Sequence, residues 1–391
     1  MKLANGTLAA LLVASSAIAG EDTAIEDEIR LLRQRLDQLE RQVQNQSQRL
    51  REQETIIDRQ QEQLAQRQVT MTEPSWSDRI TISGVVEVEA SSARGYDGED
   101  SSDITLATVE LGVDAQITDW VGAHVLLLHE EDDTDLEVDE GFISFGNAEQ
   151  SPWSLVAGQF YQPFGNFESH MISDPLTLEI GETRESGIQV GFEQGGLRAA
   201  LSVFNGDSND GDDDKVENAV LAAGYLWEGE GVSVDLGASY ITSIGDSDTL
   251  QDSLGSADSL KDYVPGVGVY AVINAGPWAF IAEYLGATDA FEVDELPFGN
   301  GGAEPSAYNV ELGYNFELGG KAAVVAVAVQ GSDEALALEL PEQRFLATLS
   351  LAIAENTALS FEFAHDKDYD EHDGGTGDDA NTFTAQLAVE F

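Results

Sequence analysis

The chain of 391 residues contains no cysteine, 9 prolines, and 18 Lys and Arg against 73 Asp and Glu, which gives a net charge of -55. Without cysteine there is neither a disulfide framework nor a Cys-based zinc site. Without a basic face we expect no nucleic-acid partner. Beyond the N-terminus the sequence has no apolar run of about 18 residues, so no helical membrane span is expected. Two classes remain, a soluble acidic β protein and an outer-membrane barrel.

Residues 1–19 have the pattern of a signal peptide. Lys2 supplies the positive start, residues 8–14 (LAALLVA) form a short apolar run, and Ala17-Ile18-Ala19 supplies small residues at a cleavage site. The alternative is a short buried helix. We expect residues 1–19 to be removed on export.

Residues 20–68 predict an α-helical coiled coil in the periplasm. This segment has 8 Arg and 11 acidic residues, whereas residues 69–391 have 9 basic and 62 acidic residues. Its apolar residues alternate spacings of three and four, as in a heptad repeat: Ile29, Leu32, Leu36, Leu39 and Val43. Later core positions become Gln46, Gln53 and Gln60, a device that can fix register or strand number. The alternative is a helix packed on its own barrel; in either case residues 69–78 form a linker.

Residues 79–391 predict an all-β fold, a transmembrane antiparallel barrel of about 16 strands. Polar and apolar residues alternate, as in Phe383-Thr384-Ala385-Gln386-Leu387. Long and short connections also alternate, which is typical of outer-membrane barrels and not of Greek-key sandwiches. The expected long connections hold 38 acidic and three basic residues, and they are 95–103, 130–137, 160–183, 205–215, 243–262, 288–304, 331–341 and 367–380.

The longest connection, 160–183, is expected to fold inward and narrow the barrel. The side chains of a barrel with about 16 strands do not fill its lumen, so we expect a loop rich in apolar residues to narrow it. Pro163 and Pro175 restrict its backbone, and Gly165 and Gly181 are expected to permit bends. The alternative is packing at the barrel mouth. The candidate constriction residues are Glu168, Asp174, Glu179, Glu182 and Arg184, and the candidate pore-lining residues are Glu87, Glu89, Glu110, Asp114 and Arg198.

Two stretches of this connection, GQFYQPFGNF (158–167) and MISDPLTLE (171–179), resemble those of LbtU-type siderophore porins. The resemblance implies an outer-membrane barrel that lets ferric siderophores diffuse passively. The chain also resembles phosphate-selective porins more distantly, but nine basic residues cannot supply the arginine and lysine rows that phosphate needs. The alternatives are a general cation-selective porin whose coiled coil acts as a structural spacer, and a soluble exported ligand-binding protein.

Partners and further sites follow from the same features. We expect outer-membrane lipid around the barrel and a homotrimer, because a parallel three-stranded coil would match porin symmetry. The acidic surface has a second explanation, adaptation to high salt, where charges are screened within about 3 Å at 1 M. Residues 207–214 (DSNDGDDD) offer calcium ligands but fit a solvated loop better, and the loop around His365 and His372 is a weaker metal candidate. We expect no enzyme activity, no cofactor and no resident metal.

Overall fold

The computed structural model describes residues 76–131, 134–208, 215–254 and 260–391. The predicted signal peptide, the predicted coiled coil and most of the predicted linker lie outside the described residues, as does most of the candidate calcium loop at 207–214. Within the described ranges, no helix has both the length and the apolar character needed to cross a membrane. Trp76–Phe391 form one compact unit.

The described chain forms a closed antiparallel barrel of 16 strands, which confirms the predicted fold of this part. Neighbours in sequence pair throughout, β11 pairs with β14, and β1 closes the barrel by pairing with β18. A separate hairpin, β12 and β13, lies in one connection. The strands are β1 Ile80–Arg94, β2 Asp100–Thr118, β3 Val121–Glu130, β4 Thr134–Gly146, β5 Trp153–Tyr161, β6 Arg184–Gln194, β7 Leu197–Phe204, β8 Asn218–Gly229, β9 Val232–Ile241, β10 Gly266–Ala275, β11 Trp278–Ala287, β12 Pro297–Phe298, β13 Gly301–Gly302, β14 Ser306–Leu318, β15 Lys321–Asp333, β16 Gln343–Ala354, β17 Thr357–Lys367 and β18 Asp379–Glu390.

Short helical segments occur in the connections. The α-helices are α1, Leu176–Gly181, and α2, Asp248–Ser253, and the 3₁₀ helices are Trp76–Arg79, Ile244–Asp246 and Leu336–Leu338. Pro175 precedes α1 as its N-cap in an extended conformation, which suits a residue whose ring fixes φ and which has no N–H to donate. The sequence pattern did not predict either α-helix, because six residues are too few for a helical period.

The two faces of each strand differ as the alternation predicts. In β18, Phe383 and Leu387 are 48% and 42% exposed on the outer face, whereas Thr384 between them points into the lumen and is buried. In β1, exposed Val88 faces outward, and Glu87 and Glu89 therefore face the lumen. An outer face this apolar needs an apolar surrounding, and an acidic inner face needs water.

Connections at the two ends of the barrel differ in length. One end, here called the short-turn end, has two-residue turns such as Gly195-Gly196, whose φ angles of 61° and 85° match a tight hairpin turn. The other is the long-loop end. Two expected long connections are shorter than predicted, because β2 already begins at Asp100 and β4 at Thr134. The polar residues there continue the ladder through their backbones, as in the pairing of Ser101 with Ala93.

Aromatic side chains on the outer face gather near both ends. Trp120, Trp153, Trp227 and Trp278 are 42–57% exposed close to the short-turn end. Near the long-loop end their place is taken by Tyr240, Tyr284, Tyr308 and Phe345. Two such bands flanking an apolar zone are typical of barrels that sit in a membrane.

A hydrophobic core lies inside the barrel. Four long connections contribute to it, together with the lumen faces of β7, β8, β9, β11 and β14. These loops fold onto the inner wall on one side of the lumen instead of extending into solvent. The core members are Phe164, Leu176, Ile180, Phe204, Val220, Ile241, Ile244, Leu250, Leu254, Leu260, Val264, Leu285, Ala287, Phe291, Leu296, Ala303, Ala307, Ala335, Leu338 and Leu340.

Candidate pore constriction

The connection between β5 and β6, residues 162–183, is here called the inner loop. It leaves the wall at Tyr161 and makes hydrogen bonds to strands on the far side of the lumen. The first of these joins the backbone N–H of Gly165 to Ser239 Oγ on β9, with N and O 3.2 Å apart. Further along, Leu176 N–H donates to Gln330 Oε1 on β15 at 3.3 Å. The inner loop therefore crosses the lumen.

Glu283 on β11 is the first of three wall glutamates that hold the inner loop. Its carboxylate accepts the backbone N–H groups of Asn166 at 2.6 Å and Phe167 at 3.1 Å. It also accepts the hydroxyl of Thr177 at 2.9 Å, from the α1 segment. One carboxylate thereby fixes two separate parts of the loop.

Glu311 on β14 and Glu362 on β17 repeat this arrangement. Glu311 accepts His170 N–H at 2.8 Å and the Ser169 hydroxyl at 2.9 Å. Glu362 accepts Ile172 N–H at 2.6 Å and Ser173 N–H at 3.2 Å. Hydrogen bonds from neutral donors to a charged acceptor are shorter and stronger than neutral pairs. Because the loop donates backbone N–H groups, its course depends on the wall glutamates more than on its own side chains.

Sequence reasoning missed these anchors, although a signal was present. Glu283, Glu311 and Glu362 are 5%, 1% and 2% exposed, which is rare for glutamate. Glu283 stands within an apolar strand sequence, WAFIAEYLGA. A buried carboxylate in such a strand needs hydrogen-bond donors, and the backbone N–H groups of Asn166 and Phe167 supply them.

Two glycines let the inner loop approach the wall closely. Gly165 has φ +89°, and a Cβ there would lie 2.3 Å from the Phe167 ring and 2.9 Å from Leu285. Gly181, expected at a bend, instead ends α1, and a Cβ there would meet Leu285 at 2.8 Å. Its function is therefore close packing and not a turn.

Asp174 lies on the part of the inner loop that faces strands β1 and β3. The side chain is exposed to the lumen, yet the surrounding protein and neighbouring carboxylates raise its pKa to about 6. After burial, the contributions come from Glu179 on α1, then from Glu130, Glu87 and Glu89 on the wall strands β3 and β1. The predicted constriction residue Asp174 and the predicted lining residues Glu87 and Glu89 thus interact across the lumen.

The other acidic residues predicted for the constriction lie along the same loop. Glu168 is exposed, and Glu179 on α1 accepts a hydrogen bond from Thr249 at 3.1 Å. Glu182 directly follows α1, and burial beside Asp248 and Asp174 raises its pKa to about 8. Burial first, and then repulsion from these neighbouring carboxylates, thus keeps Glu182 largely protonated at neutral pH.

The predicted lining residues on β2 also face the lumen. Glu110 lies opposite Leu128, and Asp114 contacts His124 Nδ1 at 2.8 Å. On β1, Glu89 accepts a hydrogen bond from Gln386 at 2.9 Å. In the described chain no hydrogen bond joins these carboxylates to the inner loop, and strands β1 to β3 are here called the uncovered wall.

The predicted arginines are paired locally. Arg184, the first residue of β6, contacts Glu137 at 2.6 Å and Asp139 at 2.7 Å on β4. Arg198 on β7 is paired with Asp235 on β9. A third arginine, Arg344 on β16, was not singled out by sequence and pairs with Asp366 through two hydrogen bonds of 2.8 and 2.9 Å. Each of these three arginines is therefore paired with at least one carboxylate.

No cation site emerges in the described part of the chain, where no three His, Asp or Glu side chains are grouped to hold a metal ion. His372 has Asp373 at 3.1 Å, but it is exposed on the last long connection. His365 is hydrogen-bonded to Asn381 at 2.9 Å.

The chain is similar in sequence to UPF0422 proteins. No family model matches the chain. A UPF0422 protein of Coxiella burnetii is 29% identical over 309 residues, which is 76% of this chain and 66% of the relative. A UPF0422 protein of Legionella pneumophila strain Paris is 27% identical over 351 residues, 80% of this chain and 66% of the relative. The chain thus spans just under two thirds of these relatives.

Solved structures share the barrel. An anion-selective porin from Comamonas acidovorans aligns over 80% of this chain and 99% of its own, with a TM-score of 0.55 and 12% identity. OprB of Pseudomonas putida aligns over 80% and 94%, with a TM-score of 0.56 and 12% identity. The outer-membrane channel DcaP of Acinetobacter baumannii aligns over 80% and 97%, with a TM-score of 0.54 and 15% identity. At such identities the likeness establishes a porin-like fold.

Proposed function

We propose that this protein is an outer-membrane channel for passive diffusion that favours small cations. Its fold is that of porins, its outer face is an apolar band between aromatic girdles, and its lumen is narrowed by the inner loop. The long-loop end would face outward and the short-turn end the periplasm, as in bacterial barrels generally.

The observation that carries the proposal is the charge on the two sides of the remaining opening. Asp174 stands on the loop side, and Glu87, Glu89 and Glu130 stand on the wall side. On the lumen faces of the described strands, Arg198 and Arg344 are each paired with an aspartate. Rings of carboxylates attract cations and repel anions, and the narrowest part has the greatest effect on selectivity.

The family resemblance implies passage of ferric siderophores, and the proposal includes them with a restriction on the charge of the complex. The acidic opening would favour neutral or cationic ferric complexes and oppose polycarboxylate complexes. The predicted homotrimer and the coiled-coil spacer of residues 20–68 remain parts of the proposal that rest on the heptad pattern and on porin symmetry.

The test is conductance of the full chain in planar bilayers, with the reversal potential measured in a KCl gradient. We expect stepwise openings with K⁺ more permeant than Cl⁻. A neutral ferric trihydroxamate and an anionic ferric polycarboxylate are then added separately to measure block.

Three outcomes separate the candidate functions. Cation-selective openings support the channel, and block by the neutral complex alone supports siderophore passage with the stated restriction. Anion-selective openings would contradict the charge argument. A folded, detergent-dependent barrel without any conductance would contradict diffusion altogether.

A further inference from the structure

A cavity of about 180 Å³ lies in the lumen on the opposite side from Asp174, against strands β7 to β10. Pro163 and Gly165 of the inner loop form its boundary toward the long-loop end. Arg198, near the start of β7, lies toward the short-turn end. The cavity is therefore a recess beneath the inner loop.

Small residues in register on three strands give this recess its depth. Ala200 pairs with Ala222, and Ala222 pairs with Ser239. In the next row Gly224 pairs with Gly237. Because these side chains are small and lie side by side, the patch leaves room for the compact apolar part of a solute.

Two polar side chains close one end of the recess. Arg198 and Tyr270 reach toward each other across the glycine pair, and the Nη2 of Arg198 lies 3.2 Å from the Tyr270 hydroxyl. A Cβ at Gly237 would be 2.2 Å from the Tyr270 ring, so the glycine is required for this ring position. Tyr270 thus forms a flat side of the recess next to the guanidinium.

The Arg198 guanidinium has N–H groups that these two contacts do not occupy. Within the described chain, its contacts to Asp235 and Tyr270 all use Nη2. Nε and Nη1 therefore remain available, and a planar fork of N–H groups suits a carboxylate. The neighbouring Asp235 can accept an ammonium group, so the site can satisfy both charges of a zwitterion.

We infer that this recess is a solute subsite for small zwitterions with a compact aliphatic body, the chemistry of an aliphatic α-amino acid. The inference rests on the proposed function and specifies one class of solute for the same channel. An acidic constriction repels free carboxylates, whereas a zwitterion has no net charge and can reach Arg198. The aliphatic body would then lie on Ala200 and Ala222 beneath Gly165.

The experiment uses the full chain in planar bilayers and three probes that share one branched body, L-valine, isobutylamine and isobutyrate. We expect valine to reduce the open-channel current in a saturable way, and isobutylamine and isobutyrate to require about tenfold higher concentrations for equal block. Ala222→Leu fills the recess without changing charge, and the half-blocking concentration of valine should rise by about tenfold. The matched control, Ala347→Leu, adds the same group to the outer face of β16 and should leave block unchanged.

A second variant tests charge recognition independently of cavity volume. The pair Arg198→Gln with Asp235→Asn keeps the net charge of the lumen, and valine should lose its advantage over isobutylamine. A conducting channel in which valine does not block, or blocks Ala222→Leu and Ala347→Leu equally, overturns the subsite and leaves the diffusion channel standing. Absence of conductance in the unmodified chain overturns both.

Discussion

Glutamates on two parts of the lumen wall have different roles. On the wall of β11, β14 and β17, Glu283, Glu311 and Glu362 are buried and accept backbone N–H groups of the inner loop. On the uncovered wall, Glu87 and Glu110 face the lumen without such donors. A glutamate anchors the inner loop where backbone N–H groups donate to its carboxylate. Where no such donor is present, its negative charge acts on ions in the lumen. The function follows from the partner and not from residue type.

The largest expected effect comes from removing charge on the covered wall. In the combined variant Glu283→Gln, Glu311→Gln and Glu362→Gln, each anchor should lose about 1.5–3 kcal/mol, typical of hydrogen bonds to charged groups. Amide hydrogen exchange at Asn166, His170 and Ile172 should accelerate by about tenfold or more, and the K⁺ conductance step should increase.

The same substitution on the uncovered wall is the control. Glu87→Gln, Glu89→Gln and Glu110→Gln should lower cation selectivity and leave exchange in the inner loop unchanged. If both triple variants altered loop exchange equally, the contrast between the walls would be wrong.

The next effect concerns the close approach of the loop to the covered wall. Gly165→Ala places a Cβ against Phe167 and Leu285, and overpacking of this kind costs about 1–3 kcal/mol. Gly299 also has positive φ, +57°, but a Cβ there would meet nothing within 4 Å. Thermal unfolding should therefore show a clear loss for Gly165→Ala and a smaller loss, from backbone strain alone, for Gly299→Ala. Equal losses would mean that packing is unimportant.

A smaller effect is expected at the passage itself. Asp174→Lys changes the local charge by two and should lower the K⁺ to Cl⁻ permeability ratio roughly fivefold or more, since a single charge at about 4 Å in a water-like medium already contributes about 1 kcal/mol. The control is Asp119→Lys, which makes the same change in an exposed short turn outside the lumen. A reversal potential that responds equally to both variants would show that overall charge, and not the constriction, sets selectivity.

The smallest effect is the pH dependence of the same ratio. The pKa of Asp174 is raised to about 6 and that of Glu182 to about 8, so both are neutral in acid and gain charge as pH rises. Cation selectivity should rise in that range, while the stability contributed by these raised pKa values is lost over the same interval. Asp174→Asn with Glu182→Gln should flatten the profile. Recordings in 1 M KCl, where the screening length is about 3 Å, should weaken it further.

Much of the barrel could be predicted from the sequence because each hairpin of its wall repeats the same short-range pattern. Strand period, turn glycines and loop length are readable over about ten residues, and they placed β18 and the tight turns correctly. The start of β2 at Asp100 was missed, since its polar end is held by backbone pairing that no side-chain pattern records.

The candidate site was harder to predict because its contacts are remote in sequence. Glu362 meets Ser173 across 189 positions, and Glu283 meets Phe167 across 116. The acidic residues of the inner loop could be chosen as constriction candidates because they lie in the longest connection. Their partners depend on how the loop crosses the lumen. Arg198 was nominated as a lining charge, and only the register of β7 to β9 shows that Asp235 neutralises it.

The closure of the barrel has a consequence for assembly. Glu89 on β1 and Gln386 on β18 are joined by a hydrogen bond across 297 positions, so the seam forms between the two most distant strands. Until β18 is in place, β1 keeps an open edge beside a surface of exposed apolar side chains. Contacts this remote slow folding and leave intermediates prone to aggregate. The rate at which β1 and β18 pair should therefore limit how quickly the barrel reaches its folded state.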